Sequence, residues 1–328
     1  MKRLYFAVTK RCNLRCAHCF NRSGDGGRDA LSCAQVCSVV ETARGAGAGE
    51  VQLTGGESLA REDIFDIIAY IHAARVSIFL QTNGVIDDNV MRGLLDLDPS
   101  YTHIIISLDG FETNTAFRGS QATASTVRSI ETLSKRFPTR INTLLSANIS
   151  DGEILRLIEL SEKTGATLAF NPIIPSGRGQ MADMAQPQPF FRRMAWIQKV
   201  GAHTRKGYGY DARSGLFSDN MDCPVRRNES IFVSDNGDCY PCGFFDGVSQ
   251  MRMGNLLALS GGFQEIMRRY PGGCGTINGE CASCPHYVEK RCFAGCPARI
   301  YAIHGHLAGR EYYCMKRYGG EATDAGKD

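Results

Sequence analysis

Three cysteines stand within eight residues near the start of the chain, at Cys12, Cys16 and Cys19 in TKRCNLRCAHCF, and no fourth follows nearby. A zinc ion or an iron-sulfur cluster held wholly by protein takes four ligands. The triplet therefore implies a metal centre with one coordination position left for something else. A C-x3-C-x2-C loop is short enough to wrap one cuboidal cluster, with a thiolate on each of three irons and the fourth iron open.

Composition narrows what such a centre can belong to. At 328 residues the chain can bury a large domain and a smaller one. With 37 Lys+Arg against 34 Asp+Glu the formal charge is only +3, and no basic run stands out, so nucleic acid is not the expected partner. Only five apolar residues, Leu4 to Val8, precede Thr9 and Lys10, too few for a signal-peptide core. No stretch of about 18 uncharged apolar residues follows, so no membrane span is expected and the reading is a cytoplasmic protein. In a reducing compartment 14 cysteines are metal ligands rather than a disulfide framework. Three lie at the N-terminus and nine between Cys223 and Cys314, which predicts two metal-binding regions. The remaining pair, Cys33 and Cys37, four apart on a helix, reads as buried structural thiols.

Between residues 4 and 174, short β-branched runs alternate with helical stretches. LYFAV (4–8) leads to a helix opened by Ser32, then come VQLT (51–54), a helix around 63–74 and VSIFLQTNG (76–84). HIIISLDG (103–110), a helix near 122–136, INTLLS (141–146), a helix near 151–163 and TLAFNPII (167–174) complete the series. Six strands with crossovers predict an α/β protein, a partial (β/α)6 TIM-like barrel, because about 170 residues is short for eight units. In such folds ligands bind at the C-terminal ends of the strands, and the triplet lies directly after the first. PSGRG (175–179) breaks the pattern. The expected division is a barrel over 1–180, a linker with one amphipathic helix over 181–222, a small Cys-rich C-terminal iron-sulfur domain over 223–318 and a disordered tail over 319–328.

At this point the sequence resembles the radical S-adenosylmethionine (SAM) superfamily, whose members carry C-x3-C-x-aromatic-C after strand 1 of a partial barrel. The resemblance implies that SAM is the missing ligand, chelating the open iron through its amino and carboxylate groups. It further implies that the reduced cluster splits SAM to a 5′-deoxyadenosyl radical, which removes hydrogen from an unactivated carbon. TGGES (54–58) is similar to the family's segment after strand 2, where Gly55 and Gly56 let the backbone approach the ligand. The Gly56 carbonyl and Glu57 would then meet the SAM ammonium. His18, where the family has an aromatic residue, is implied to pack against adenine. SLDG (107–110) and the stretch after it look like the family's serine-and-arginine segment. This implies that Ser107 and Arg128 contact the SAM carboxylate and ribose, with Arg118 as the other arginine for that role. Asn83 in QTNG also resembles a family motif, and a plain Asn-Gly turn explains it equally.

The later cysteines read C223-x13-G237-x4-C242, C281-x2-C284-x7-C292-x3-C296 and C314. This looks like the SPASM extension, an auxiliary-cluster domain of peptide-modifying radical SAM enzymes. The resemblance implies three 4Fe-4S clusters in all. One would be held by Cys281, Cys284, Cys292 and Cys314, another by Cys223, Cys242 and Cys296. The second set lacks a member, leaving Cys239, Cys274, Asp222 or an open iron as its completion. Two structural zinc sites are the alternative for this region.

The function these features imply is hydrogen abstraction from a ribosomally made peptide, to give a crosslink, a thioether, an epimer or a dehydrogenated residue. Strand 1 begins at about residue 4, leaving no room for a leader-binding domain, so either a separate leader-binding protein presents the peptide or the enzyme needs no leader. A flavodoxin or ferredoxin is the expected electron donor. The alternatives are oxidation or epimerisation of a small molecule such as an aminocyclitol or sugar, and a non-enzymatic iron-sulfur electron carrier. The catalytic hydrogen donor or base is not legible.

Overall fold

The computed structural model describes residues 3–24, 29–202, 223–275, 277–289 and 292–318. Its first part holds β1 (Arg3–Ala7), β2 (Glu50–Thr54), β3 (Ser77–Thr82), β4 (Thr102–Ser107), β5 (Thr139–Leu145) and β6 (Thr167–Pro172). These lie side by side in chain order, and each neighbouring pair is parallel. Parallel neighbours need crossovers, supplied here by α1 (Cys33–Gly45), α2 (Ile64–Ala73), α3 (Asp88–Leu95), α4 (Glu112–Arg118), α5 (Ala122–Leu133) and α6 (Asp151–Thr164). This is the expected partial (β/α)6 barrel.

Strand periodicity assigns the two faces. Leu4 and Phe6, Val51 and Leu53, Ile78 and Leu80, and Ile104 and Ile106 join the apolar core beneath the helices. Their alternates, among them Tyr5, Gln52, Gln81 and Ser107, turn into a cavity inside the barrel. Helix starts follow local capping. The Ser32 side chain accepts from Gln35 N while the Gln35 side chain returns to Ser32, and Ser150 and Glu153 do the same for α6. The sequence did not announce α3 and α4, which have 8 and 7 residues. Too few turns are present for a helical period to show.

β6 does not close onto β1. Instead the C-terminal region supplies β7 (Phe232–Val233), β8 (Asp238–Tyr240) and β9 (Gly254–Asn255), which continue the sheet from the free edge of β1. β7 runs parallel to β1, with Tyr5 opposite Phe232 and Phe6 opposite Val233, and β8 and β9 follow antiparallel. The strands of the Cys-rich region thus share one sheet with the barrel. The helix expected beyond residue 181 is α7 (Pro187–Ala202), whose Phe190, Phe191, Met194 and Ile197 enter the core. The rest of the expected linker, with Asp222, and the tail over 319–328 lie outside the described residues. Among the described residues no helix is long and apolar enough to cross a membrane.

Candidate functional site

The triplet loop leaves β1 and is pinned from three sides. From β2, Gly56 N donates to Thr9 O at 2.8 Å and Glu57 N to Arg11 O at 2.8 Å. A Cβ on Gly56 would sit 2.2 Å from Arg11 O, so only glycine permits this approach. From α4, Phe117 O accepts from Ala17 N at 2.9 Å. From beyond β6, Arg178 N donates to Cys19 O at 2.9 Å, its Nε to Cys16 O at 2.8 Å and its Nη2 to Ser23 O at 2.6 Å. PSGRG thus clamps the loop rather than merely ending the barrel pattern. Its position after the last barrel strand, at the ligand-binding end, was the available signal. Asn21 is a further residue the sequence reading missed: its Nδ2 donates to Gly55 O at 2.9 Å and its Oδ1 accepts from Cys19 Sγ at 3.1 Å.

One cavity of about 470 Å³ opens at this end of the barrel. Cys12, Cys16 and Cys19 line it, together with the expected residues His18, Gly55, Gly56, Asn83 and Ser107. Cys223, Cys242 and Cys296 line it as well. Burial pushes the Cys12 thiol up to about 11 and raises Cys16 also, so a metal must displace protons to gain thiolate ligands here.

Beside the triplet lies a buried polar network. Asp109 is fully buried, and its Oδ2 accepts from Arg118 Nε at 2.9 Å and Nη2 at 2.7 Å and faces His18 Nε2 at 3.1 Å. Its Oδ1 accepts from Leu144 N at 3.0 Å. Burial alone would raise this carboxyl, but the Arg118 charge and the His18 hydrogen bond outweigh it and hold the group far below the usual range. His18 packs its ring 4.7 Å from Phe117, and its buried Nδ1 has no hydrogen-bond partner.

Two expectations need correction. Arg128 lies exposed on α5, bonded to Ser125 Oγ at 3.2 Å and away from the cavity; of the two candidates it is Arg118, at the end of α4, that lines the cavity. Glu57 is turned away from the cavity and 2% exposed. Its oxygens accept from Asn83 N at 2.7 Å and Leu59 N at 3.2 Å, so it fastens β2 to the turn after β3. Burial pushes it up to about 7. Asn83 forms the turn, its Oδ1 accepting from Val85 N at 2.8 Å, while its Nδ2 lies 3.8 Å from Cys12 Sγ.

The C-terminal cysteines gather in two groups. Cys296 lies near enough to Cys223 and Cys242 to oppose their ionisation, and Cys281, Cys292 and Cys314 each feel other thiols of their own group, Cys284 among them. Among the described residues no three His, Cys, Asp or Glu converge on a single metal ion. A cuboidal cluster spreads its thiolates over several irons and asks for no such convergence. Cys33 and Cys37 are half-buried rather than buried, and neither lines the cavity.

Residues 6–161 match the radical SAM superfamily. Over 98% of this chain and 84% of the relative, the sequence is 29% identical to the mycofactocin maturase MftC of Mycolicibacterium smegmatis. It is 28% identical to the AdoMet-dependent heme synthase of Methanosarcina barkeri over 95% of both chains. In fold it is similar to anSMEcpe with bound AdoMet, with a TM-score of 0.79 over 99% of this chain and 98% of the other at 17% identity. It is also similar to Streptococcus suis SuiB bound to S-adenosylmethionine, with a TM-score of 0.73 over 94% of this chain and 76% of the other at 17% identity. Three thiols on one cavity wall, glycine backbone beside them and an orphaned imidazole nitrogen fit a cluster with a ligand on its open side. Together with the match over residues 6–161, they make this chain an enzyme with a radical SAM domain, a family that works with SAM and a 4Fe-4S cluster.

Proposed function

We propose that the enzyme abstracts hydrogen from a Cα or Cβ of a ribosomally made peptide, leaving a crosslink, thioether, epimer or dehydrogenated residue. The observation that carries this reading is that one cavity is lined both by Cys12, Cys16 and Cys19 and by Cys223, Cys242 and Cys296. A substrate in it would lie between a radical source and an electron acceptor. When bound, SAM and the reduced N-terminal cluster supply the 5′-deoxyadenosyl radical. In this reading Cys12, Cys16 and Cys19 hold that cluster, while the Gly55–Gly56 backbone, Asn83, Ser107 and Arg118 receive SAM with His18 against its adenine. Cys223, Cys242 and Cys296 hold a first auxiliary 4Fe-4S cluster, and Cys281, Cys284, Cys292 and Cys314 a second. Residues 1–180 act as the radical barrel and 223–318 as the auxiliary unit. The similarity to a maturase along nearly the whole chain supports the peptide substrate. A leader-binding protein, a flavodoxin or ferredoxin donor and a cytoplasmic location complete the reading.

The similarity to the heme synthase favours a second reading, a small-molecule substrate. The strand faces inside the barrel suit either, being lined by Gln52, Gln81, Asn142 and Asn171. The deciding experiment incubates anaerobic enzyme with SAM, dithionite and precursor peptides encoded beside its gene, deuterated at Cα or Cβ. Deuterium in 5′-deoxyadenosine with a mass change in the peptide supports the proposal. Cleavage of SAM with no deuterium transfer from any such peptide refutes it in favour of the small molecule.

A further inference from the structure

The first auxiliary group has three cysteines on the cavity wall and a fourth ligand to find. Asp222 lies outside the described residues. Cys239 is fully buried on β8 within the main core, its Sγ donating to Gly237 O at 3.7 Å. The charged groups near it are Asp238 and Arg252, not another thiol. Cys274 differs. It is 1% exposed and packs in the same apolar cluster as Cys223, Cys242 and Cys296, with Val225, Tyr270 and Ala298 around them. It does not line the cavity, so it approaches the other three from the protein side.

The surrounding chain is built to keep these segments together. Arg226 N donates to Cys223 O at 2.9 Å, while its side chain donates to Gly295 O at 2.9 Å and Ala294 O at 2.7 Å, just before Cys296. Gly275, next to Cys274, lies against the Arg226 carbonyl, where an added Cβ would stand 3.1 Å from the oxygen. One arginine thus joins the Cys223, Cys274 and Cys296 segments. A second observation points to an occupant. The Tyr270 hydroxyl is buried without a hydrogen-bond acceptor, and its near neighbours are Cys274, Cys223 and Cys242. A buried hydroxyl left without an acceptor is destabilising, whereas cluster or thiolate sulfur would accept its hydrogen bond.

We propose that Cys274 is the fourth ligand of the first auxiliary 4Fe-4S cluster, and that Tyr270 donates a hydrogen bond to a sulfur of that cluster. The proposal rests on the auxiliary-cluster reading above. Ligation releases the thiol proton of Cys274, as it does for the other three. Four protein thiolates leave no iron open, so this cluster exchanges electrons with the cavity and does not bind substrate.

The test removes the N-terminal cluster with Cys12→Ala, Cys16→Ala and Cys19→Ala together in the full chain. The parent so obtained is reconstituted and compared with versions that also carry Cys274→Ala, Cys239→Ala or Tyr270→Phe. Readouts are iron and sulfide content, electron paramagnetic resonance before and after mild oxidation, and the response to added cyanide. The parent should hold roughly eight iron and ignore cyanide. Cys274→Ala should gain a cyanide response and a 3Fe-4S signal on oxidation, or lose about four iron, while Cys239→Ala matches the parent. Tyr270→Phe should keep its iron and show one cluster with a lower midpoint potential, because that hydrogen bond favours the reduced cluster. A Cys274→Ala protein with the parent's iron, spectra and indifference to cyanide would overturn the ligand assignment alone, as would a parent that already binds cyanide. An unchanged potential in Tyr270→Phe would remove the tyrosine from it. A parent with about four iron or fewer would instead overturn the auxiliary reading itself.

Discussion

Gly177 carries the backbone across the triplet loop, and adding one methyl group there tests how closely that loop must be held. The residue has φ +64, and a Cβ would stand 2.1 Å from Phe20 O and 2.4 Å from Cys19 O. Left-handed backbone costs an L-residue roughly 1–2 kcal/mol. The contact adds more: carbon and carbonyl oxygen normally approach no closer than about 3.3 Å, so one must yield by about 1 Å. Overpacking of this kind costs about 1–3 kcal/mol, for a total near 2–5 kcal/mol. The functional cost should exceed the structural one, since the carbonyls displaced belong to Cys19 and its neighbour. A misplacement of about 1 Å in a positioned reacting group lowers turnover roughly 100-fold. Gly177→Ala should therefore keep its C-terminal iron and lose SAM cleavage by about two orders of magnitude, measured as 5′-deoxyadenosine formed with dithionite. Gly47→Ala is the control: its φ is +89, but nothing lies within 4 Å of its added Cβ, so it meets the backbone cost without the collision. Equal cleavage by the two variants would refute the clamp.

Replacing Cys12, Cys16 or Cys19 singly by Ala should abolish SAM cleavage while iron remains in the C-terminal region; cleavage retained in any of the three would sink the ligand assignment. Glu153 accepts from Phe111 N at 2.8 Å, Thr113 N at 2.9 Å and Ser150 N at 3.1 Å. Burial raises this carboxyl, but the N–H donors prevail and bring it to about 2. Because the folded value lies below the unfolded value of about 4.3, its stabilisation is full above about pH 5 and is lost as pH falls toward 2. Glu153→Gln should cost about 2–3 kcal/mol at pH 7 in urea melts of iron-free protein, with a deficit that shrinks below pH 4; a constant deficit would contradict this. Glu311→Ala removes the carboxylate that accepts from the buried Arg299 Nε at 2.6 Å and from Cys296 N at 2.6 Å. A loss of about 3–5 kcal/mol is expected, largely recovered by Arg299→Met with Glu311→Leu; no recovery would show that packing, not charge, sets the cost.

The strands were legible as short β-branched apolar runs, and β2, EVQLT, adds a clean alternation of apolar and polar faces. Cysteine spacing was legible too: ligands near in sequence are near in space. What escaped was set by distant contacts. Arg178 meets Cys16 O from 162 residues away, and its place after the last barrel strand is its one signal in the sequence. Glu57 looks like a ligand contact until Asn83 N, in the turn after the next strand, claims its oxygen. Arg118 and Arg128 could not be separated by sequence, because the answer depends on α4, a helix of two turns that places one arginine inward. The fourth auxiliary cysteine is of the same kind, with Cys274 brought to Cys223 through Arg226.

β1 has a partner on each side, β2 within the barrel and β7 from the Cys-rich region. A chain ending before residue 223 would leave β1 as an edge strand, with unpaired N–H and C=O groups along Tyr5 and Phe6. Such an edge invites pairing with another copy. The barrel is therefore not a unit that can be excised and studied alone. Its most exposed failure would be self-association beginning at the strand that delivers the cluster loop.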